Sequence, residues 1–402
     1  MAAPSTNTIL HLLLLTLIYI LHHSKSFASN QSYFPVTDFG ARLDGRNDAT
    51  EAFLNAWKAT CQSDKPSILY APPGLYSVGT LIFNGPCRTS KIGFRIDGTL
   101  RAFSDYTAFQ QGTWILFNNV NGLSIYGGGS LDGQGEAFWA CKGKYNNNTG
   151  CPEGVKTLSI GRSSNVKLTG LKSFNSKFFH IFVWASNNIV VEDLYLVAPE
   201  NSPNTDGIHV QQSSDIIIRK SFIKTGDDCI SIGPGTYNVL VESIYCGPGH
   251  GISIGSLGQY EEEPGVRNVT VKTVDFYNTM NGVRIKTWGR PSNGYVSNVV
   301  FRDITMSNVT NPIIIDQNYC PWQQGCPHQN SGIKISKVIF SNIRGSSANE
   351  VGIKFECSPS QPCRAIQLKN VKLTYNQNPA MISCRYVFGN SSGLNFMSAC
   401  MH

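Results

Sequence analysis

Four short polar clusters lie between Asn204 and Lys286: Asn204-Thr205-Asp206-Gly207, Gly226-Asp227-Asp228-Cys229, Gly249-His250-Gly251 and Arg284-Ile285-Lys286. They hold three carboxyls, one imidazole and two cations. Carboxyls held close together repel, which raises the pKa of at least one of them. A site with one protonated and one ionised acid can give a proton and take one, as general acid/base catalysis requires. Glycosidic hydrolysis uses such a pair: one acid protonates the leaving oxygen and one carboxylate activates water. Taken singly, an Asp before a turn could simply cap backbone amides. Arg284 and Lys286 could equally form a solvated charged face. The grouped set points to an active site.

The elements that must position these groups repeat. Asn followed by alternating apolar residues recurs at Asn165-Val166, Asn188-Ile189, Asn238-Val239, Asn268-Val269 and Asn298-Val299. A second strand follows each, as in Ile208-His209-Val210, Ile230-Ser231-Ile232 and Ile252-Ser253-Ile254. Ile208, Ile230 and Ile252 stand 22 residues apart, and the next intervals, to Val283 and Ile313, are 31 and 30. Such a period, with strands in each unit, marks a solenoid, whereas a propeller needs about 40 or more residues per blade. The expectation is an all-β, single-domain parallel β-helix. Stacked strands lie about 4.8 Å apart. Asp206, Asp228 and His250 each stand two residues before an equivalent isoleucine, so they fall at one place on successive coils. Arg284 and Lys286, two apart on the next coil, share a side of their strand. Ile208 and Val210 point inward and His209 outward, because strand side chains alternate. Asp48-Ala49-Thr50-Glu51 has the form of a capping box. The spacing of Ala49, Ala52, Phe53, Ala56 and Trp57 then predicts a helix over 49–60 that covers the open N-terminal end. No second helix is expected.

Residues 1–28 read as a signal peptide, with an apolar stretch from Ile9 to Leu21 and a small-x-small pattern at Ser26-Phe27-Ala28. Residues 29–402 then form the β-helix catalytic domain, with no later membrane span. Twelve cysteines fit an oxidising compartment. Paired by proximity they give Cys61/Cys87, Cys141/Cys151, Cys229/Cys246, Cys320/Cys326, Cys357/Cys363 and Cys384/Cys400. Sequons begin at Asn30, Asn147, Asn268, Asn308 and Asn390. The net charge of +7, to which the leader contributes only Lys25, suits a polyanionic partner. No dense Lys/Arg run supports nucleic-acid binding, and no CxxC pair supports a metal site.

The four clusters, in this order and spacing, resemble the signature motifs of polygalacturonases, the pectin-hydrolysing family 28 glycoside hydrolases. The resemblance runs from about Val36 to Cys400 and includes Val36-Thr37-Asp38-Phe39-Gly40-Ala41. Fungal members carry Asp-Gly-Phe-Asp where this chain has Asp206-Gly207-Ile208-His209, which is similar to the plant branch. The resemblance implies a right-handed parallel β-helix and an inverting mechanism without metal or cofactor. It implies that Asp227 is the proton donor, that Asp206 and Asp228 activate water, and that His250 tunes the acid or contacts substrate. Arg284 and Lys286 would bind the uronate carboxylate of polygalacturonate. Asn204 and Tyr319, in Asp316-Gln317-Asn318-Tyr319, would contact sugar, and Cys229 to Cys246 would brace the acid turn. The expected protein is a secreted, monomeric cell-wall enzyme, exo-acting rather than endo-acting. Two other readings are a calcium-dependent pectate lyase and an inactive wall-binding β-helix, against which the intact acids stand.

Overall fold

The computed structural model describes residues 31–109, 112–144, 150–321 and 325–394. The leader, Asn30, Asn147 and Cys400 lie outside the described residues. Within the described residues the chain winds into parallel coils, and eleven strands stack into one sheet. Six of them frame the site: β1 (Ile181–Trp184), β2 (Ile208–Gln211), β3 (Ile230–Ile232), β4 (Ile252–Leu257), β5 (Asn281–Trp288) and β6 (Asn311–Tyr319). All six pair in parallel, with Ile208 beside Ile230, Ile230 beside Ile252, Ile252 beside Val283 and Val283 beside Ile313. The sequence intervals of 22, 31 and 30 are thus each one coil. All five residues are fully buried, while His209 sits half-buried on the outer face. The fold is a right-handed parallel β-helix, the hand that parallel crossovers take.

Among the described residues the other faces form a second sheet of twenty strands, including long ones such as Tyr295–Val309. The recurring Asn has a geometric cause. Asn165, Asn188, Asn238, Asn268 and Asn298 all have φ between 52° and 57°, the left-handed region that asparagine tolerates. Their side chains also bond from coil to coil. Asn268 donates to Asn238 at 3.1 Å and Asn298 to Asn268 at 3.4 Å. The sequon residues Asn268, Asn308 and Asn390 are all exposed.

Helix α1 (Thr50–Cys61) lies at the N-terminal end, with Phe53, Ala56 and Trp57 buried on the core. Phe53 meets Tyr76 and Phe94 edge-on, and Trp57 packs on Phe83 with centroids 4.9 Å apart. The capping box does not form as expected. The helix opens one residue later, Asp48 accepts from the Thr50 N–H at 2.9 Å, and Glu51 faces solvent. A second helix, α2 (Glu136–Lys144), corrects the one-helix expectation. It lacks an apolar stripe, and among its residues whose side chains are described only Phe138 is fully buried. The Cys141–Cys151 disulfide ties it down. Cys61–Cys87, Cys229–Cys246, Cys320–Cys326 and Cys357–Cys363 are also bonded, as is Cys384. Among the described residues no helix is long and apolar enough to cross a membrane.

Phe53 anchors the end cap, so Phe53→Ala should cost about 3–5 kcal/mol of stability, the usual range for deleting a buried aromatic. Urea unfolding followed by circular dichroism checks this, and a loss under about 1 kcal/mol would show that the cap contributes little.

Candidate active site

The site lies on the outer face of the eleven-stranded sheet: the three acids and His250 stand just before β2, β3 and β4, and Arg284 and Lys286 lie within β5. Two glycines set its turns. A Cβ on Gly226 would collide with the Ser202 backbone oxygen, and one on Gly251 with the Asn281 oxygen, where φ is also +91°. Gly226 N–H donates to Thr205 Oγ1 at 2.9 Å, which ties the first acid turn to the second. The Cys229–Cys246 disulfide leaves from the residue after Asp228.

Carboxylate atoms of Asp206, Asp227 and Asp228 lie within 4.8 Å of one another. Asp228 is fully buried. Its Oδ1 accepts from Arg284 Nη2 at 2.8 Å and from Ser253 Oγ at 2.8 Å, and its Oδ2 accepts from Lys286 Nζ at 2.8 Å. Asp227 Oδ1 accepts from its neighbour's backbone, Asp228 N–H, at 2.8 Å and faces His250 Nδ1 at 3.1 Å. Its Oδ2 accepts from Asn204 Nδ2 at 3.3 Å. Asp206 receives Ser231 Oγ on Oδ2 at 2.6 Å. Tyr319, at the end of β6, covers the cations: Lys286 Nζ lies 5.1 Å and Arg284 Cζ 5.8 Å from its ring.

Every residue expected at the site is therefore brought together, but not as a simple row. His250 stands at the same coil position as Asp228, yet it pairs with Asp227. The cations, expected to face a sugar, hold Asp228. Asp206 and Asp228 do not cap amides; each takes the hydroxyl of the serine on the next coil, Ser231 or Ser253. Sequence reasoning passed over these serines and His209 as strand residues. The signal was the repeated Ile-Ser-Ile phrase, which places each serine beside the preceding acid.

The three carboxyls differ electrically. Burial pushes the Asp206 carboxyl up, Asp227 and Asp228 push it further, and Lys286 and Ser231 only partly offset this, so it stays well above the usual range. Burial also raises Asp227, but the bond and charge of His250, with Lys286 and the Asp228 N–H, outweigh it and hold Asp227 at about 2. Burial lowers the His250 imidazole, yet Asp227 and Asp228 carry it above its ordinary value. Asp206 therefore holds a proton more readily than Asp227. Three carboxylates could attract a cation, but both Asp228 oxygens are already taken by Lys286, Arg284 and Ser253, so the donor set suits a buried ion-pair network rather than a metal.

A carboxyl whose pKa is raised on folding contributes stability that is present at low pH and lost as pH rises toward its folded value. Asp206→Asn should therefore raise the melting temperature at pH 7, with the gain vanishing below about pH 3.9, where the free carboxyl is itself neutral. Calorimetry at both pH values checks this, and a lower melting temperature at pH 7 would contradict it.

The pattern that defines Glycosyl hydrolases family 28 matches residues 61–394. A polygalacturonase of Prunus persica is 49% identical over 388 residues, covering 96% of this chain and 98% of that protein. An exopolygalacturonase of Platanus acerifolia is 43% identical, covering 92% of this chain and 98% of that protein. The crystal structure of an exopolygalacturonase from Thermotoga maritima shares the fold, with a TM-score of 0.75 at 20% identity over 90% of this chain and 91% of that one. With its acid cluster carried on the same solenoid, this chain belongs to glycoside hydrolase family 28.

Proposed function

We propose that this family 28 hydrolase cuts α-1,4-galacturonosidic bonds of de-esterified pectin with inversion, and that it acts outside the cell, in the wall. The observation that carries the reading is the pair of buried cations on Asp228, beside acids that differ in how readily they hold a proton. Arg284 and Lys286 sit next to the proposed cut and can turn to a uronate carboxylate, for which arginine offers a planar fork of donors. A calcium-dependent lyase would instead need Asp228 oxygens that these cations occupy.

Asp206 holds a proton more readily, whereas Asp227 is the proposed donor. A bound uronate supplies the missing step. Its negative charge opposes the His250 imidazole and Lys286, whose bond and charges hold Asp227 ionised. The proton passes from Asp206 to Asp227 within the cluster. This leaves Asp227 as the acid and Asp206 as the carboxylate that, with Asp228, activates water. Asp227 then protonates the leaving oxygen as the C1–O bond breaks. The attacking water bonds to C1 and gives its proton to Asp206, so turnover restores the resting distribution.

Carboxyls about 5–5.5 Å apart usually signal retention, through attack by one of them. Here the acids are close, yet Asp228 would have to break both cation contacts to attack carbon, and Asp227 is held by His250 and Asn204. Inversion therefore stays compatible with the short spacing. Support for exo action comes from the Platanus relative's name.

Digestion of hexagalacturonate followed by proton NMR tests the reading. The first new reducing end should be the β-anomer, monomer should be the sole early product besides the shortened chain, and the fully methyl-esterified hexamer should be cut poorly. Asp227→Asn should lower turnover by roughly 10² or more, since general acid catalysis contributes about 10²–10⁴. A first-formed α-anomer, or near-normal rates from Asp227→Asn, would overturn the mechanism.

A further inference from the structure

His250 stands between Gly249 and Gly251. Glycine gives the backbone its widest freedom to turn, so the direction of the His250 ring depends on what holds its peptide groups. Its N–H donates to the Asp227 carbonyl at 2.8 Å, and the Met280 N–H donates to the Gly249 carbonyl at 2.8 Å. The His250 carbonyl accepts from Asn281 Nδ2 at 3.0 Å. Asn281 is only 2% exposed, so it acts on the turn and not on a sugar. It opens β5 and is the direct partner of Asn311, which opens β6.

The neighbours fix which way both amides point. A backbone carbonyl only accepts, so the Asn281 atom that faces His250 is the NH2 group. Its Oδ1 then accepts from Asn311 Nδ2 at 3.2 Å, and the same Asn311 nitrogen donates to the Met280 carbonyl at 3.2 Å. We propose that Asn281 is a positioning residue for the acid: it clamps the His250 peptide so that the imidazole stays on Asp227, and Asn311 holds Asn281 in turn. The imidazole meets Asp227 Oδ1 at 3.1 Å, near the long end of hydrogen-bond distances, so a small rotation of the glycine-flanked turn breaks the contact. The charged groups facing His250 are Asp227, Asp228 and Arg284, and the two acids carry its imidazole above the ordinary value. A turn that loses the clamp moves the imidazole away from both acids and lets the Asp227 carboxyl swing from its place.

The inference rests on Asp227 as the proton donor, so Asp227→Asn is measured alongside. Hexagalacturonate hydrolysis and proton NMR titration of the imidazoles, with the His250 signal assigned by His250→Ala, give the two readouts. Asn281→Ala should lower kcat about tenfold, the upper end of what one hydrogen bond is worth, with KM little changed. The His250 imidazole should titrate closer to its ordinary value, a shift that loosened packing elsewhere would not cause. Asn311→Ala should move both readouts in the same direction and less far, and it decides the matter if Asn281→Ala does not fold. In a His250→Ala background, Asn281→Ala should cost less than about twofold more, because coupled residues are not additive. An unmoved His250 titration, a KM rise with unchanged kcat, or additive losses would overturn the clamp while Asp227→Asn stays inactive. An active Asp227→Asn would overturn both the acid assignment and the clamp.

Discussion

The structure turns on one constraint: three carboxyls share a site within 4.8 Å, and the fully buried one, Asp228, is held by two buried cations. Buried charges are tolerated only when they are paired and hydrogen-bonded. Arg284 and Lys286 meet that demand from one strand, since the two positions project to the same side. Ser253 completes the shell and joins Arg284 Nε to the same carboxylate. With Asp228 satisfied in this way and Asp227 bonded to His250, burial and the remaining repulsion fall on Asp206. The difference between the acids is therefore a consequence of burial and of where His250 and the cations stand.

A solenoid suits this arrangement because each coil adds one residue to the same place. Ile208, Ile230, Ile252 and Val283 lock successive turns into register inside the barrel. The outer positions are then free to carry chemistry at strand spacing. The serines that steer Asp206 and Asp228 occupy one outward ladder with His209 and Arg284. A single sheet row thus supplies, in order, an imidazole, two hydroxyls and a guanidinium.

Much of this was legible in the sequence, because the 22-residue period fixes register and register fixes neighbours. The grouping of Asp206, Asp227, Asp228, His250, Arg284 and Lys286 followed from it, as did the inward isoleucines, while the end-capping helix followed from the helical spacing of Ala49, Ala52, Phe53, Ala56 and Trp57. What the period could not reveal was which neighbours bond. His250 turns to Asp227 rather than to Asp228, and Lys286 reaches across two coils to Asp228; both depend on side-chain directions that spacing leaves open. Helix α2 was missed because a helix held by one buried ring and a disulfide leaves no apolar stripe. The Asp48 cap slipped by one residue because its carboxylate serves the Thr50 N–H instead of forming a reciprocal box with Glu51.

The central claim is that one proton moves between Asp206 and Asp227 when a uronate engages the cations. Carboxyl carbon-13 NMR titration of the aspartates, with signals assigned by Asp206→Asn and Asp227→Asn, tests it most directly. In the free protein the account predicts that Asp206 titrates well above the ordinary carboxyl range and Asp227 near 2. With galacturonate bound, Asp227 should move up and Asp206 down. An Asp227 signal already protonated near neutral pH in the free protein, or two titrations unmoved by galacturonate, would contradict the account.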